Sequence, residues 1–335
     1  MRQLAIIDDY LSNALTVADW RPVMNECAIT VFKEHLHDVD ELAARLAPFE
    51  IVCCMRERTP FQRELLDKLP NLKLLCSTAQ RNAVIDVAYA ASKGVVVSGT
   101  GASNGATAEL TWAIILGFMR NIPGEYNAVR AGGWQAKIGR DVSYLTLGVI
   151  GLGRLGAKVA KVGRAFGMEV IAWSPNMTAE QAAACDAKLV TKDELMARAH
   201  IVTLHMVLSD RTRGMIGSAD IARMRSDALL VNTSRGPLID EPALIEALQG
   251  NRIAGAALDA FEVEPLPASH PFRQLPNVLV TSHVGYVTEA TYKVFFEDTV
   301  ENVLAYLKGK PMRIQNPLAD TDRTVPRFLD RPGLR

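Results

Sequence analysis

Short apolar runs alternate with segments of helical periodicity through the first hundred residues. The apolar runs predict strands over residues 4–7, 28–32, 51–55, 72–77 and 95–97. Between them, residues 40–46 and 61–69 have the apolar spacing of helices. This alternation is typical of βαβ units, in which crossover helices join parallel strands.

The alternation resumes after a connector at residues 98–105 that is rich in glycine, serine and asparagine. A long apolar helix is predicted over residues 106–120, whereas residues 121–140 have little periodicity. Further strands are predicted over residues 145–150, 170–173, 201–205, 229–232, 254–258 and 278–281. Strands that alternate with helices in this way indicate a second doubly wound parallel sheet.

A last helix, predicted over residues 289–308, lies beyond the final strand and ends at Gly309. We expect this helix to pack on the first domain, so that the chain crosses between the domains twice. The predicted fold class is α/β, with two Rossmann-like doubly wound parallel-sheet domains, the second inserted into the first. The predicted domains are residues 1–100 with 286–335, and residues 101–285.

Composition supports a protein of this class and excludes several others. The chain has 335 residues, of which 49% are hydrophobic, and this length suits two domains. Lys+Arg and Asp+Glu are each 37, so no excess charge favours nucleic acid or an anionic membrane. No apolar run reaches the roughly 18 residues that a membrane span requires.

The cysteines and the termini predict a cytoplasmic protein. The five cysteines are odd in number and form no C-x-x-C pair, which indicates reduced thiols rather than a disulfide framework. The apolar core of the N-terminal segment is too short for a signal peptide. The tail from Ala319 onward has several prolines and charges, and we expect it to be poorly ordered or to wrap a partner.

A Gly-x-Gly-x-x-Gly motif at Gly151, Gly153 and Gly156 directly follows a predicted strand and precedes a predicted helix. In this setting the turn offers backbone N–H groups at a helix N-terminus to a pyrophosphate. Arg154 and Leu155 lie inside the motif and are candidate cofactor contacts with the glycines. The motif alone is weak evidence, but its position between strand and helix predicts a dinucleotide site.

The residue that would select between NAD and NADP is unusual in this chain. A carboxylate is expected about 20 residues after the glycine motif, where it accepts hydrogen bonds from the adenosine ribose. Ser174 occupies that position, and residues 174–178 contain no cation for a 2′-phosphate, although Arg154 could reach it. NAD is therefore the predicted cofactor, with NADP as the alternative.

Polar residues with the chemistry of hydride transfer follow three later strands. Arg235 follows the strand at 229–232, and its planar guanidinium suits a substrate carboxylate; a surface salt bridge is the alternative. Asp259, Glu262 and Glu264 follow the strand at 254–258, and one of them could orient a base. His283 follows the last strand and could move a proton near neutral pH, although a lone histidine is more often structural.

These segments together resemble the D-isomer-specific 2-hydroxyacid dehydrogenases. The likeness is carried, in order, by residues 107–109, 151–156, 199–206, 232–240, 258–265 and 283–285. The resemblance implies that Arg235 binds the substrate carboxylate, that His283 is the acid/base, and that Glu264 orients and charges His283. It also implies a cofactor domain inserted into the substrate domain.

Further roles are implied by the resemblance alone. Asp259 would face the nicotinamide amide, and Met206, Thr233 and Ser234 would line the cofactor. Family members commonly form homodimers through the cofactor domain, and residues 121–140 are the matching arm-like segment. No metal is implied.

The chain departs from the family in the loop at residues 77–82, where many members offer backbone N–H groups of a glycine-containing loop to the substrate. Ala79 stands where a glycine is common, and since alanine tolerates positive φ poorly, we expect a different loop shape. Ala79 and Gln80 remain candidate substrate contacts. Arg56 and Arg81 could bind a second anionic group of the substrate; alternatively, such arginines pair with Glu57 and Glu64 on the surface.

The sequence therefore predicts an NAD(P)-dependent oxidoreductase that interconverts a 2-keto acid and the corresponding (R)-2-hydroxy acid. The alternative is an NADH-sensing, corepressor-like binding protein with the same fold. The residues Arg235, Glu264 and His283 are all present, which favours the enzyme.

Overall fold

The computed structural model describes residues 1–103 and 105–316, and these form two compact units. Within the described residues, unit 1 consists of residues 1–103 with 287–316, and unit 2 consists of residues 105–286. Strands and helices are numbered below in chain order. The predictions for the tail from Ala319 onward lie outside the described residues.

Unit 1 is built on a five-stranded parallel sheet. Its strands are β1 (Arg2–Ile6), β2 (Cys27–Val31), β3 (Ile51–Cys54), β4 (Leu74–Ser77) and β5 (Val96–Ser98). They lie in the order β2-β1-β3-β4-β5, which reverses between β1 and β3. In sheets of this order, ligands bind beyond the carboxyl ends of the strands.

The helices of unit 1 are mostly short, and some of them begin at a side chain that accepts backbone N–H groups. They are α1 (Ala14–Val17), α2 (Arg21–Met24), α3 (Val39–Leu46), α4 (Arg63–Asp67), α5 (Val87–Ser92) and α13 (Glu289–Leu307). At α3, the Asp38 carboxylate accepts from the N–H groups of Asp40 and Glu41. The helix predicted over residues 61–69 is shorter than expected, because Phe61 pairs with Ile85 in a parallel β-bridge.

The last helix and the segment after it complete unit 1. Helix α13 packs against β4, α1 and α2. Beyond it, Ile314 pairs antiparallel with Ser98 at the edge strand β5. The Arg313 guanidinium donates to the buried Asp298 carboxylate at 2.9 Å, which fixes this segment to α13.

Unit 2 contains a seven-stranded parallel sheet in the order β12-β11-β10-β9-β6-β7-β8. Its strands are β6 (Thr146–Ile150), β7 (Glu169–Trp173), β8 (Lys188–Leu189), β9 (Ile201–Leu204), β10 (Leu229–Asn232), β11 (Gly255–Leu258) and β12 (Val278–Val280). Strand β8 was not predicted, because two residues at a sheet edge are too few to show a period. With both sheets in place, the predicted fold class of two parallel-sheet α/β domains is confirmed.

Alternate residues of the unit 2 strands enter two separate hydrophobic cores, one on each face of the sheet. In β10, Leu230 belongs to one core and Val231 to the other. Because both faces are covered, these strands are apolar throughout rather than alternating, which is why the sequence shows continuous apolar runs.

The helices of unit 2 cover both faces of the sheet. They are α6 (Ala106–Met119), α7 (Ile122–Arg130), α8 (Arg154–Ala165), α9 (Ala179–Ala183), α10 (Lys192–Arg198), α11 (Ser218–Arg223) and α12 (Glu241–Gln249), with short 3₁₀ turns at Gly236–Leu238 and Pro271–Arg273. Helix α7 lies in the segment for which no element was predicted. None of its residues is buried, and Pro123 and Gly124 in its first turn are residues that disfavour a helix prediction.

Among the described residues, no helix is both long and apolar enough to cross a membrane. Nor do the described parts of the chain contain a cluster of three or more histidine, cysteine, aspartate or glutamate side chains that could hold a metal ion.

Candidate active site

The turn between β6 and α8 has a geometry that only glycine allows at two of its positions. Gly151 has φ +94°, and a Cβ there would lie 2.7 Å from the His205 carbonyl oxygen. A Cβ on Gly156 would lie 2.0 Å from the Gly151 carbonyl oxygen. A side chain at Gly151 would therefore push the turn away from the end of β9, and one at Gly156 would push the turn away from helix α8.

Gly153 meets a different requirement. A Cβ there would touch no atom of the described chain within 4 Å, so neighbouring protein atoms do not explain the glycine. Gly153 is also the N-cap of α8 and, as a glycine, supplies no side chain to cap the helix. Open space beside an uncapped helix N-terminus fits the pyrophosphate of a dinucleotide.

Ser174 lies at the end of β7, next to β6 in the sheet, and is half-buried. The ammonium group of Lys192 lies 5.9 Å from the ring centroid of the preceding Trp173. This cation is already engaged, since it donates to the Asp220 carboxylate at 2.8 Å and to the Met215 carbonyl oxygen. Lys192 is therefore not available to a 2′-phosphate without breaking those bonds.

The end of β9 contacts the glycine turn through His205 and Met206. The His205 N–H donates to the Ile150 carbonyl oxygen at 2.8 Å, and its Nε2 lies 3.0 Å from the Thr203 hydroxyl. Its Nδ1 is inaccessible to solvent and has no hydrogen-bond partner among the described residues. Burial lowers the pKa of the His205 imidazole to about 4, so this ring is neutral at physiological pH.

Small polar side chains fix the turn after β10. Asn232, which is fully buried, donates through Nδ2 to the Arg235 carbonyl oxygen at 2.8 Å and accepts through Oδ1 from the Ser234 N–H at 3.0 Å. The Ser234 hydroxyl donates to the Leu204 carbonyl oxygen at 2.8 Å, and the Thr233 hydroxyl lies 2.8 Å from that of Thr111. The segment that carries Arg235 is therefore fixed by side-chain hydrogen bonds on both of its sides.

Asn232 has a structural role that the sequence analysis did not assign. A polar side chain at the last position of an otherwise apolar strand is the signal that could have revealed it. Arg235 itself is half-buried with extended backbone, and its Nη1 donates to the Ser234 carbonyl oxygen at 2.7 Å.

Glu264 and His283 form a direct pair after β11 and β12. The Nδ1 of His283 lies 2.6 Å from Oε2 of Glu264. The other carboxylate oxygen, Oε1, accepts from the Phe261 N–H at 2.9 Å, so both oxygens of Glu264 are oriented. The Tyr286 ring packs edge-on against the imidazole with a centroid distance of 5.6 Å.

Glu262, by contrast, pairs with Arg213 at 3.3 Å, so of the three candidate carboxylates Glu264 is the one that contacts His283.

Asp259 holds the turn that presents His283. Its carboxylate is buried and accepts from the Thr281 hydroxyl at 2.6 Å, the Val284 N–H at 2.8 Å and the Gly285 N–H at 2.9 Å. These donors flank His283, whose φ is +55°. Burial raises the pKa of the Asp259 carboxyl above its ordinary value, and the hydrogen bonds from Thr281 and Val284 oppose that rise.

In unit 1, the predicted substrate contacts lie at the neighbouring ends of β3 and β4. The expectation that Ala79 would change the loop shape by avoiding positive φ is wrong, since its φ is +76°. Tertiary hydrogen bonds hold the alanine there: its N–H donates to the Thr100 hydroxyl at 2.7 Å, and its carbonyl oxygen accepts from the Thr100 N–H at 3.0 Å. Gln80 and Arg81 follow with exposed side chains.

The arginines of this edge have different partners. The Nε of Arg56 lies 3.3 Å from the Glu57 carboxylate, and both side chains are half-buried rather than on the surface. Glu64 instead lies beside Lys68, at 3.8 Å. Arg58 donates to the Asp8 carbonyl oxygen at 2.6 Å and stacks over the Tyr10 ring, so its guanidinium has a role in the fold.

Comparison with known proteins gives the family of the chain. Residues 112–285, slightly more than half of the chain, match the family model described as "D-isomer specific 2-hydroxyacid dehydrogenase, NAD binding domain". The chain belongs to the D-isomer-specific 2-hydroxyacid dehydrogenases. The match falls on unit 2, which is thus the NAD-binding domain of this family.

Named relatives agree with this membership. D-3-phosphoglycerate dehydrogenase of Methanocaldococcus jannaschii is 38% identical over 81% of this chain, and the chain spans 52% of that protein, about half its length. Glyoxylate reductase of Aeropyrum pernix is 35% identical over 74% of this chain and 77% of its own. A phosphoglycerate oxidoreductase from Vibrio cholerae O395 superposes with a TM-score of 0.88 and 36% identity, over 92% of this chain and 100% of its own.

The buried His205 gives unit 2 a specific pH dependence. Because its folded pKa of about 4 lies below the unfolded value of about 6.5, the unfolded chain takes up the proton first as pH falls. Because of His205, the free energy of unfolding therefore decreases as the pH falls below about 6.5. Between pH 7.5 and pH 5, we expect the unmodified protein to lose about 2 kcal/mol more unfolding free energy than His205→Gln. Urea unfolding at both pH values measures the difference.

The matched control is His37→Gln, which changes an exposed histidine of unit 1. It should show the same pH dependence as the unmodified protein. Equal losses of unfolding free energy in the unmodified protein and in His205→Gln would mean that His205 binds its proton equally well in the folded and unfolded states.

Proposed function

We propose that this chain is an NAD(P)-dependent oxidoreductase that interconverts a 2-keto acid and the corresponding (R)-2-hydroxy acid. The observation that carries the proposal is the contact of 2.6 Å between Glu264 and His283. Glu264 follows β11 and His283 follows β12. In the sheet, β11 lies between β12 and β10, and Arg235 follows the end of β10. An acid/base pair and a carboxylate ligand at neighbouring strand ends are what keto acid reduction requires.

Each of the three residues has a separate task. Arg235 binds the substrate carboxylate with its guanidinium fork and so sets the orientation of the keto group. His283, charged and paired with Glu264, donates a proton to the oxygen of the reacting carbonyl. Glu264 holds the imidazole through Nδ1, which leaves Nε2 to face the substrate. In the oxidative direction, the neutral imidazole accepts the same proton.

The nicotinamide cofactor supplies the hydride when it is bound. The turn residues Gly151, Gly153, Arg154, Leu155 and Gly156 would hold its pyrophosphate through backbone N–H groups. This assignment is supported by the open space at Gly153 and the uncapped N-terminus of α8.

Other unit 2 residues would contact the rest of the cofactor. Ser174 would bind the adenosine ribose, while Met206, Thr233, Ser234 and Asp259 would lie along the nicotinamide half. We propose NAD as the preferred form, because Lys192, the cation beside the end of β7, is already bound to Asp220.

We assign unit 1 to substrate binding. The left-handed Ala79 turns the loop so that the N–H groups of Gln80 and Arg81 donate to no acceptor among the described residues. Consecutive N–H groups of this kind bind anions. Arg56 and Arg81 add positive charge at the same edge and would bind a second anionic group where the substrate has one, with Arg56 exchanging its 3.3 Å contact with Glu57 for that group.

The second candidate function is an NADH-sensing protein that binds the cofactor without turnover. Its sites in unit 2 would be the same, so the two functions differ in the need for His283 and Glu264. A sensor needs no oriented imidazole–carboxylate pair, so the contact between His283 and Glu264 favours the enzyme.

A panel of keto acids tests the proposal. We expect the protein to oxidise NADH with at least one of glyoxylate, pyruvate, hydroxypyruvate and phosphohydroxypyruvate. His283→Ala should lower kcat by roughly 10²–10⁴-fold, because the proton donor is lost. His270→Ala is the matched control, since His270 forms a similar pair with Glu241 at 3.0 Å in the same unit. NADH binding without oxidation of NADH by any acid would favour the sensor instead.

We also propose that the protein forms a homodimer through unit 2. Helix α7 has no buried residue, and the segment after it leaves Trp134 80% exposed and Ile138 94% exposed. Apolar side chains presented together in this way mark a surface that another protein covers. A second copy of the chain is the partner that matches the family arm at residues 121–140.

Light scattering after gel filtration tests the dimer. We expect the unmodified protein to have twice the chain mass of 36.6 kDa, and the pair of changes Trp134→Glu and Ile138→Glu to give a monomer. Leu11→Lys, at an exposed apolar residue of unit 1, should leave the mass unchanged. A dimer that persists in the double variant would place the interface elsewhere.

A further inference from the structure

Asn82 is a buried side chain in an otherwise exposed part of the loop after β4. Its relative exposure is 5%, whereas Gln80, Arg81 and Ala83 around it are exposed. Nδ2 donates to the Arg56 carbonyl oxygen at 2.6 Å and to the Ser77 hydroxyl at 2.9 Å. Oδ1 accepts from the Val84 N–H at 3.0 Å. Both Nδ2 and Oδ1 of Asn82 thus have hydrogen-bond partners, and the side chain joins the loop after β3 to the loop after β4.

Both loops contain a non-glycine residue in the left-handed region. Arg56 has φ +54° and Ala79 has φ +76°. Such a conformation is unfavourable for a residue with a Cβ, so it persists only where surrounding contacts require it. The two residues follow neighbouring strands, and strain concentrated at one strand edge is typical of a functional position.

The contacts around Arg56 show how its strain is maintained. The Arg56 N–H donates to the Thr78 hydroxyl at 2.8 Å, and its carbonyl oxygen accepts from Asn82. The peptide groups on both sides of the Arg56 Cα are therefore fixed to the β4 loop. Since Cα geometry sets the direction of the side chain, these two bonds also set the direction in which the Arg56 guanidinium leaves the backbone.

We propose that Asn82 is a positioning residue for substrate binding, which acts by holding Arg56 in its left-handed conformation. The inference rests on the proposed function, because it assigns to Arg56 the binding of an anionic keto acid. Asn82 itself, being buried and fully hydrogen-bonded within the loops, does not touch the substrate.

A double-mutant cycle on Arg56 and Asn82 tests this role. We expect Asn82→Ala to raise the KM of the keto acid by roughly 10- to 100-fold, with kcat and the dissociation constant of NADH changed less than about 2-fold. Arg56→Ala should have a similar effect. The double variant should be no worse than Arg56→Ala alone, because Asn82 acts through Arg56.

Gln62→Ala is the matched control. Gln62 donates to the Val84 carbonyl oxygen of the same loop at 2.8 Å but is exposed, so its loss should leave KM unchanged. Thermal unfolding of each variant shows that the protein compared is folded. A merely structural role would lower the folded fraction and reduce activity towards all substrates alike, without a selective change in KM.

Two results would overturn the inference while leaving the proposed function intact. One is an unchanged KM in folded Asn82→Ala, and the other is an additive effect of the two changes in the double variant. If the unmodified protein oxidised NADH with no keto acid, the proposed function would fail, and the inference with it.

Discussion

The Asp259 carboxylate holds the turn after the last strand of unit 2, and the arrangement of the acid/base pair depends on it. Three donors, from Thr281, Val284 and Gly285, converge on this buried group. The left-handed conformation of His283 costs about 1–2 kcal/mol, and these hydrogen bonds to the residues around it hold the turn in that conformation. His283 is thereby presented to Glu264.

The strand order of unit 2 separates two chemical tasks along one sheet edge. The order reverses at β6, where the glycine turn after β6 touches His205 after β9. Ligands of doubly wound sheets bind at this reversal. The residues that we propose for proton transfer and carboxylate binding follow β10, β11 and β12, on one side of it. A single sheet would thus provide separate positions for the cofactor and for the reacting acid.

Much of this arrangement could be predicted from the sequence, for a physical reason. Buried parallel strands are apolar on both faces, so the polar residues in the turn that follows each strand are conspicuous, as at Arg235, Glu264 and His283. The glycine turn was equally visible, because Gly151 and Gly156 occupy positions that no side chain can.

Tertiary contacts explain what the sequence did not show. The left-handed Ala79 contradicts the residue's own preference and is held by Thr100, which is distant in the chain. Helix α7 has a proline and a glycine in its first turn and buries none of its residues, so its sequence does not resemble that of a core-facing helix. The hydrogen bonds of Asn232 and Asn82 to backbone groups of their loops depend on the folded geometry, and at Asn82 no pattern of composition or spacing indicates them.

The most direct test of the account is the hydrogen bond between His283 and Glu264 in solution. An Nδ1 proton shared with a carboxylate gives a strongly deshielded resonance in proton NMR. We expect this resonance in the unmodified protein, its absence in Glu264→Gln, and its loss in folded Asp259→Asn, because the turn that presents the imidazole is released. An unchanged resonance in Asp259→Asn would contradict the claim that the Asp259 carboxylate determines the position of His283.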